Sequence, residues 1–143
     1  MSVAESTLTA RWIHTTLTGD ATITSLVGAR VADDPAPAAM AEPLIVFGLL
    51  STNDVATAAG VYRVMTDSLW LIRAIGEGES YEQLAAIATR IDQLFHRAAA
   101  SVTGGTVFSS TREREHRQSE LDQQTGKQYR HLGGEYRVLT QAT

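Results

Sequence analysis

The sequence contains no cysteine, which excludes a disulfide framework, a thiolate metal site and a cysteine nucleophile. It also contains no apolar run that approaches the roughly 20 residues of a membrane-spanning helix. The first residues lack the basic segment and the apolar stretch of a signal peptide. These absences predict a protein that binds no membrane and is made in a reducing cytoplasm.

The motifs of common catalytic and cofactor sites are absent as well. The glycines of VTGGT at 102–106 have no lysine after them and follow a predicted helix, so they are not a phosphate-binding loop. No serine lies in a Gly-x-Ser-x-Gly turn. The four histidines show no metal-binding spacing: His14, His96, His116 and His131. We therefore expect no enzymatic activity, no metal and no cofactor.

Length and charge indicate one domain that is not a dedicated nucleic-acid binder. With 143 residues and 43% hydrophobic content, the chain fits a single domain over residues 1–143. Its net charge is −4, whereas nucleic-acid-binding domains are usually basic. Residues 1–100 hold six basic and eleven acidic side chains, and residues 101–143 hold six and five. The acidity therefore belongs to the first two thirds of the chain.

Hydrophobic periodicity predicts two helices near the N-terminus. Apolar residues recur at helical spacing over 8–17, and a shorter helix follows in 20–28, where Asp20 can cap its first turn. The connection at 29–43 contains three prolines and offers only residues 30–32 for strand pairing.

From residue 44 onward the pattern predicts strands around one long helix. The helix covers residues 81 to about 100 and begins with the capping box of Ser80 and Gln83. Its apolar stripe must be buried against a sheet. The other predicted elements are a strand at 44–50, a polar loop at 51–60, a strand at 61–76 that bends or breaks near 66–68, a strand from 106, a polar hairpin around 117–128 and a strand at 129–139. This order predicts an α+β fold, with an antiparallel or mixed β-sheet, the long helix packed on one face and two short N-terminal helices.

Two glycines interrupt the last predicted strand. Gly133 and Gly134 lie in the middle of YRHLGGEYRVL at 129–139. Glycine weakens a strand interior and marks a bulge, a bend or a close approach of two backbones. We interpret the pair as strand-bend glycines at positions that resist a side chain.

The run TREREHR at 111–117 is the most unusual segment. Strand alternation would place Arg112, Arg114 and His116 on one face, and Glu113, Glu115 and Arg117 on the other. The run is too charged for a core, because unpaired buried charges are costly. Two interpretations stay open: an edge strand that its charges protect from aggregation, or a ribbon that projects beyond the domain and pairs with a neighbouring subunit. The subunit-interface candidates are Arg112, Glu113, Arg114, Glu115 and Arg117.

Several phrases along the chain, taken in order, resemble the tail terminator proteins of long-tailed bacteriophages, the tail completion family that caps the tail tube and joins it to the head. The phrases are ITSLVGARV at 23–31, EPLIVFGLL at 42–50, LWLIRAIGEGESYEQLAAIATRIDQL at 69–94 and YRHLGGEYRVLTQ at 129–141. Their order and spacing carry the resemblance, and the last phrase is the most distinctive.

The resemblance implies an α+β fold with a curved sheet, which Gly133 and Gly134 would let the last strand follow. It also implies a homo-oligomeric, hexameric ring in the virion, with the tail tube protein on one side and a head-completion or neck protein on the other. DNA would pass through the bore without specific binding. The acidic loops at 33–42 and 51–60 could face that bore, where negative charge keeps DNA sliding, or lie on a solvated outer surface. The bore-facing candidates are Asp33, Asp34, Glu42 and Asp54.

Two other classes of protein stay open. Another neck component, such as a head-closure or connector protein, would form a ring with other partners. A small α+β enzyme or ligand-binding protein would instead contain a buried apolar pocket with converging polar groups.

Overall fold

The computed structural model describes residues 5–37, 40–56 and 63–143. These residues form three helices and one six-stranded sheet. The elements are α1 (Glu5–Thr18), α2 (Ala21–Val27), β1 (Val31–Asp33), β2 (Leu44–Ala56), β3 (Arg63–Glu77), α3 (Tyr81–Phe95), β4 (Ala98–Val102), β5 (Gly105–Leu121) and β6 (Gln128–Ala142). The predicted α+β class is confirmed. Of the two N-terminal helices only α2 is short, since α1 has 14 residues and α3 has 15.

The sheet is mixed, with the strand order β1-β2-β3-β6-β5-β4. β1 pairs in parallel with β2, and every other neighbouring pair is antiparallel. The short strands β1 and β4 therefore form the two outer borders, and four long strands form the centre.

The hydrophobic core lies on one face of this sheet. The side chains of Ile45, Phe47, Trp70, Ile72, Tyr136 and Val138 point to that face and are almost fully buried. All three helices pack there. Phe95 of α3 joins the layers, because its ring meets Trp12 of α1 edge-on at 5.3 Å and Tyr136 of β6 at 6.0 Å between centroids.

Helix α3 forms where its capping box predicts. The Ser80 hydroxyl accepts a hydrogen bond from the Gln83 backbone N–H at 3.1 Å, and the Gln83 side chain accepts one from the Ser80 N–H at 2.7 Å. The helix ends at Phe95, not near residue 100, and Arg97 follows with a positive φ of 60°. The remaining alanines form β4, so the predicted C-terminal end of the helix was wrong.

Asp20 fixes α2 against α3. Its carboxylate caps α2 by accepting from the Ile23 N–H at 3.0 Å, and it accepts two hydrogen bonds from Arg90 of α3. The hydrogen bonds from Arg90 hold the pKa of Asp20 at about 2. One carboxylate thus caps the first turn of α2 and holds α3 against it.

The strands are longer than predicted. β2 continues through residues 51–56, which we predicted as part of a loop. Three parts of the predicted elements lie outside the described residues: 57–60 of that loop, 61–62 of the next strand and 38–39 of the proline-bearing connection. β3 pairs with β6 without a register shift from Thr66 to Glu77, so the break near 66–68 is absent. β5 likewise continues to Leu121, and the hairpin to β6 turns within 122–127. Polar side chains misled the prediction, because an exposed strand needs no apolar pattern.

Gly133 and Gly134 lie in β6 at positions where the pairing with β3 and with β5 continues without a shift. At Gly133 a Cβ would lie 2.0 Å from the Ile72 carbonyl oxygen and 2.6 Å from the Arg73 Cα. In a regular strand the Cβ points out of the sheet rather than at the neighbouring strand. The backbone at Gly133 therefore departs from the regular pleat and approaches β3 closely. The role of the pair in bending the strand stays a prediction.

The two glycines differ in what a side chain would meet. At Gly134 the nearest atoms belong to side chains, the Arg112 Cδ at 2.8 Å and the Tyr136 Cε2 at 3.1 Å. We predict that Gly133→Ala lowers the free energy of unfolding by about 3 kcal/mol, the upper part of the range for overpacking. Gly134→Ala is the matched control and should cost about 1 kcal/mol or less, since the Arg112 side chain can move. Urea denaturation measures both; equal losses would show that the approach to β3 imposes no special requirement.

Candidate assembly interface

Two long strands are paired on only one side over half of their length. β4 pairs with β5 only as far as Ser110, so residues 113–121, the free half of β5, pair only with β6 among the described residues. On the other border, β1 pairs with residues 45–47, and residues 49–56, the β2 arm, pair only with β3 in the described part of the chain. Both stretches present unpaired backbone groups at a sheet edge.

The free half of β5 begins with a β-bulge. Arg112 is opposite Tyr136 and Arg114 is opposite Glu135, so Glu113 is the extra residue. An extra residue reverses the alternation beyond it. Arg112, Glu115 and Arg117 consequently share the helix-bearing side, whereas Arg114 and His116 lie on the opposite side. The regular alternation predicted for this run was wrong, because sequence carries no strong sign of a bulge.

On the helix-bearing side the arginines of β5 contact α3. Arg112 Nε lies 3.6 Å from Asp92 Oδ1, which also accepts a hydrogen bond from the buried Tyr136 hydroxyl at 3.0 Å. The guanidinium of Arg117 lies over the Tyr81 ring, 3.9 Å from its centroid. Both side chains therefore already stabilise the contact between helix and strand within one subunit.

The opposite side of the sheet carries an ionic network instead of a helix. Arg137 of β6 is bound by two carboxylates, Glu113 of β5 and, at 2.6 Å, Asp67 of β3. The hydrogen bond from Arg137 lowers the pKa of Glu113. Arg114 is 3.5 Å from Glu135, but its side chain is 66% exposed, so this pair is weak. Most of the Arg114 side chain is therefore available to a partner.

A second polar group on this side links three central strands. Arg73 Nε donates to His131 Nδ1 at 3.2 Å, and His131 Nε2 then donates to Glu120 at 2.8 Å. His116 lies next to this chain of hydrogen bonds, with its ring 6.5 Å from that of His131, and its buried Nε2 has no hydrogen-bond partner among the described residues. Burial lowers the pKa of His116, and the positive charge of Arg73 lowers it further.

The lowered pKa of His116 predicts a loss of stability in mild acid. Near and below the ordinary histidine pKa of 6.5 the unfolded chain takes up a proton that the folded chain resists, so stability falls as the pH drops through this range. His116→Gln should flatten this part of the profile. Thermal melts between pH 5 and 8 test it, with His14→Gln on the exposed side of α1 as control; that variant should keep the wild-type loss. An identical slope in wild type and His116→Gln would contradict the assignment.

The β2 arm is a feature that the sequence did not reveal. Leu49 is 43% exposed, Leu50 is 50% exposed and Val55 is 39% exposed, and all residues of the arm are solvent-accessible. The arm contains no Lys, Arg or Pro, the residues with which edge strands usually prevent pairing. An edge with exposed leucines and without a basic residue or proline favours a surface that another chain covers.

A groove of about 460 Å³ lies beside the free half of β5, between this strand and α3. Ala85, Ala88, Thr89, Asp92 and Gln93 form its helical wall, and Arg112 and Glu115 form its strand wall, with Leu132 and Gly133 of β6 below. The small side chains of Ala85 and Ala88 leave space at the helix, and most of the remaining lining is polar or charged.

The four carboxylates predicted to face a bore do not come together. Asp34 packs beside Gly48 on the helix-free side of β2, whereas Asp54 accepts a hydrogen bond from Thr66 at 3.1 Å on the helix-bearing side. Asp33 ends β1, and burial raises its pKa; Glu42 lies near Glu77 before the start of β2, and burial and this neighbour raise its pKa. One face of the sheet cannot present both Asp34 and Asp54.

No group of three or more acidic or histidine side chains in the described residues is arranged to hold a metal ion. No helix in the described part of the chain is long and apolar enough to cross a membrane.

Comparisons with known proteins agree with the fold. A family model described as "Tail completion protein gp17" matches residues 11–140. A solved chain from "Virion of native gene transfer agent (GTA) particle" superposes with a TM-score of 0.64 and 17% sequence identity, over 89% of this chain and 91% of that chain. At this identity the likeness establishes a shared fold. No curated protein matches the sequence.

Proposed function

Because the chain belongs to the family of the tail completion protein gp17, we propose that it caps the tail tube of a phage particle as a hexameric ring. The ring ends polymerisation of the tube and forms the joint to the head, through which DNA passes. The observation that carries this proposal is the family match over residues 11–140, which begins within α1, ends within β6 and covers all the elements between them.

Family membership alone establishes a coarser statement. The chain is a structural protein of the phage tail and part of the virion, and its family is not a family of enzymes. The resemblance to tail completion proteins expected from the sequence is confirmed. The hexameric stoichiometry, the contacts with tube and neck proteins and the passage of DNA belong to the proposal.

The two unpaired strand edges support a ring. A closed ring of identical subunits needs two different surfaces that fit each other, because each subunit meets its neighbours head to tail. The β2 arm and the free half of β5 are different in composition and lie on opposite borders of the sheet. Either edge alone would allow only a pair of subunits with twofold symmetry.

The bore-facing role of the acidic residues stays a prediction. Their positions on the sheet limit which of them could face a bore together. Since Asp34 and Asp54 lie on opposite sides of the sheet, at most one of them can face a bore lined by one sheet face. The helix-free side carries Asp34, Asp67 and Glu120, but it also carries Arg114 and Arg137, so acidic charge does not single it out as a surface along which DNA slides.

Adding the purified protein to polymerising tail tube protein tests the function. We expect shorter tubes, with a ring of density at a tube end in electron micrographs, because a capped end accepts no further tube subunits. Tubes formed without the protein are the control. Tubes of unchanged length with bare ends would contradict the proposal, and binding to purified heads instead would identify another neck component.

A further inference from the structure

We infer that neighbouring subunits join by strand addition: the β2 arm of one copy pairs antiparallel with the free half of β5 of the next copy. The inference rests on the proposed ring and adds the surfaces that close it. It would join the sheets of all copies into one continuous sheet.

The positions of the two edges favour this pairing. β2 and β5 run antiparallel to each other within the sheet, since three antiparallel steps separate them. The free stretches occupy diagonally opposite corners, because β1 covers the start of β2 and β4 covers the start of β5. A rotation about a ring axis that brings the two edges together therefore gives an antiparallel ladder.

The offset between the two edges fits the geometry of a closed sheet. We consider the ladder in which Thr52 of one copy lies opposite Arg117 of the next. Within one subunit Thr52 pairs with Ser68 of β3, and Arg117 pairs with Leu132, which pairs with Ala74 of β3. The six residues from Ser68 to Ala74 give a shift of about 20 Å along the strands, and the four strands of each subunit give a width of about 19 Å across them. These values give a strand tilt of about 45°, and strands of closed sheets are typically tilted by about 35–45°.

The groove beside the free half of β5 offers a place for one side chain of the arm. Leu49 points to the helix-bearing side, since it is opposite the buried Trp70. When the sheet continues into the next copy, this side of the arm meets the groove between α3 and β5, where Ala85 and Ala88 leave room for an apolar side chain. The border at β4 also has clefts lined by small and apolar residues, so the position of the free edges, and not groove composition, favours β5 as the partner.

Charge at this contact is mixed. The arm carries one carboxylate, Asp54, and no basic residue. Asp54 lies on the helix-bearing side, on which the free half of β5 and its bulge present Arg112, Glu115 and Arg117. With Thr52 level with Arg117, Asp54 lies opposite Glu115, and like charges across neighbouring strands weaken the pairing. The inference therefore rests on the free edges and on Leu49, and not on charge.

Disulfide trapping tests the inference on a clean background, because the chain has no cysteine. Thr52→Cys is combined in turn with Glu115→Cys, Arg117→Cys or Ser119→Cys, three positions that share one side of β5. We expect one of these pairs to give, on oxidation, a ladder of covalent oligomers that extends beyond the dimer. The single variants should give no ladder.

Other outcomes overturn the inference. A ladder from Thr52→Cys with Ala100→Cys would assign the partner edge to β4, and dimers from Thr52→Cys alone would show that two arms meet. Absence of any ladder, while the wild type still forms rings by size-exclusion chromatography, would reject strand addition and leave the ring intact. A wild type that stays monomeric and leaves tubes uncapped would reject both the ring and its interface.

A second measurement does not depend on the register of pairing. Leu49→Asp should raise the concentration needed for ring assembly at least about tenfold and leave the circular dichroism spectrum unchanged. Phe108→Asp is the matched control, because Phe108 is also 43% exposed but lies outside both edges; it should change that concentration less than about twofold. Equal effects of the two variants would overturn the role of the arm.

Discussion

The packing of Phe95 between Trp12 and Tyr136 holds α1 and α3 on the same face of the sheet, and the remaining features depend on this one-sided arrangement. Apolar strand residues can be buried only where helices cover them. The opposite face must therefore be satisfied by polar groups, and it is crossed by the ionic contacts of Arg137 and by the hydrogen bonds of Arg73 with His131. A sheet covered in this way has one face buried under helices and one face lined by polar and charged groups.

The same arrangement leaves backbone groups at the borders of the sheet unpaired within the described part of the chain. Helices that lie on a face do not pair with backbone groups at an edge, and the outer strands β1 and β4 are too short to cover their long neighbours. In a monomer these edges would invite aggregation. Charges protect the free half of β5, whereas nothing comparable protects the β2 arm. The asymmetry between the edges is what head-to-tail assembly requires.

Sequence reasoning succeeded where a single physical rule dominates and failed where two rules compete. The apolar stripe and capping box of α3 leave only one solution, and its start at Tyr81 was predicted. Its end was not, because alanines after Phe95 favour a helix locally, while pairing with β5 makes them a strand. The β2 arm was taken for a loop, because small polar residues carry no periodicity. The bulge at Glu113 depends on pairing with β6 and left no local signal.

The charges of the β5 run do not by themselves account for the predicted subunit interface. Its charges suggested an interface, yet in the folded subunit Arg112 and Arg117 already contact α3 and Glu113 binds Arg137. Exposed ion pairs add only about 0–1 kcal/mol each, so exchanging such partners for those of a neighbour gains little. A strand edge differs, because its backbone groups and the adjacent groove gain contacts that the monomer does not supply. Strand addition, as inferred above, would therefore draw the affinity between subunits from the ladder and from Leu49, and not from the arginines.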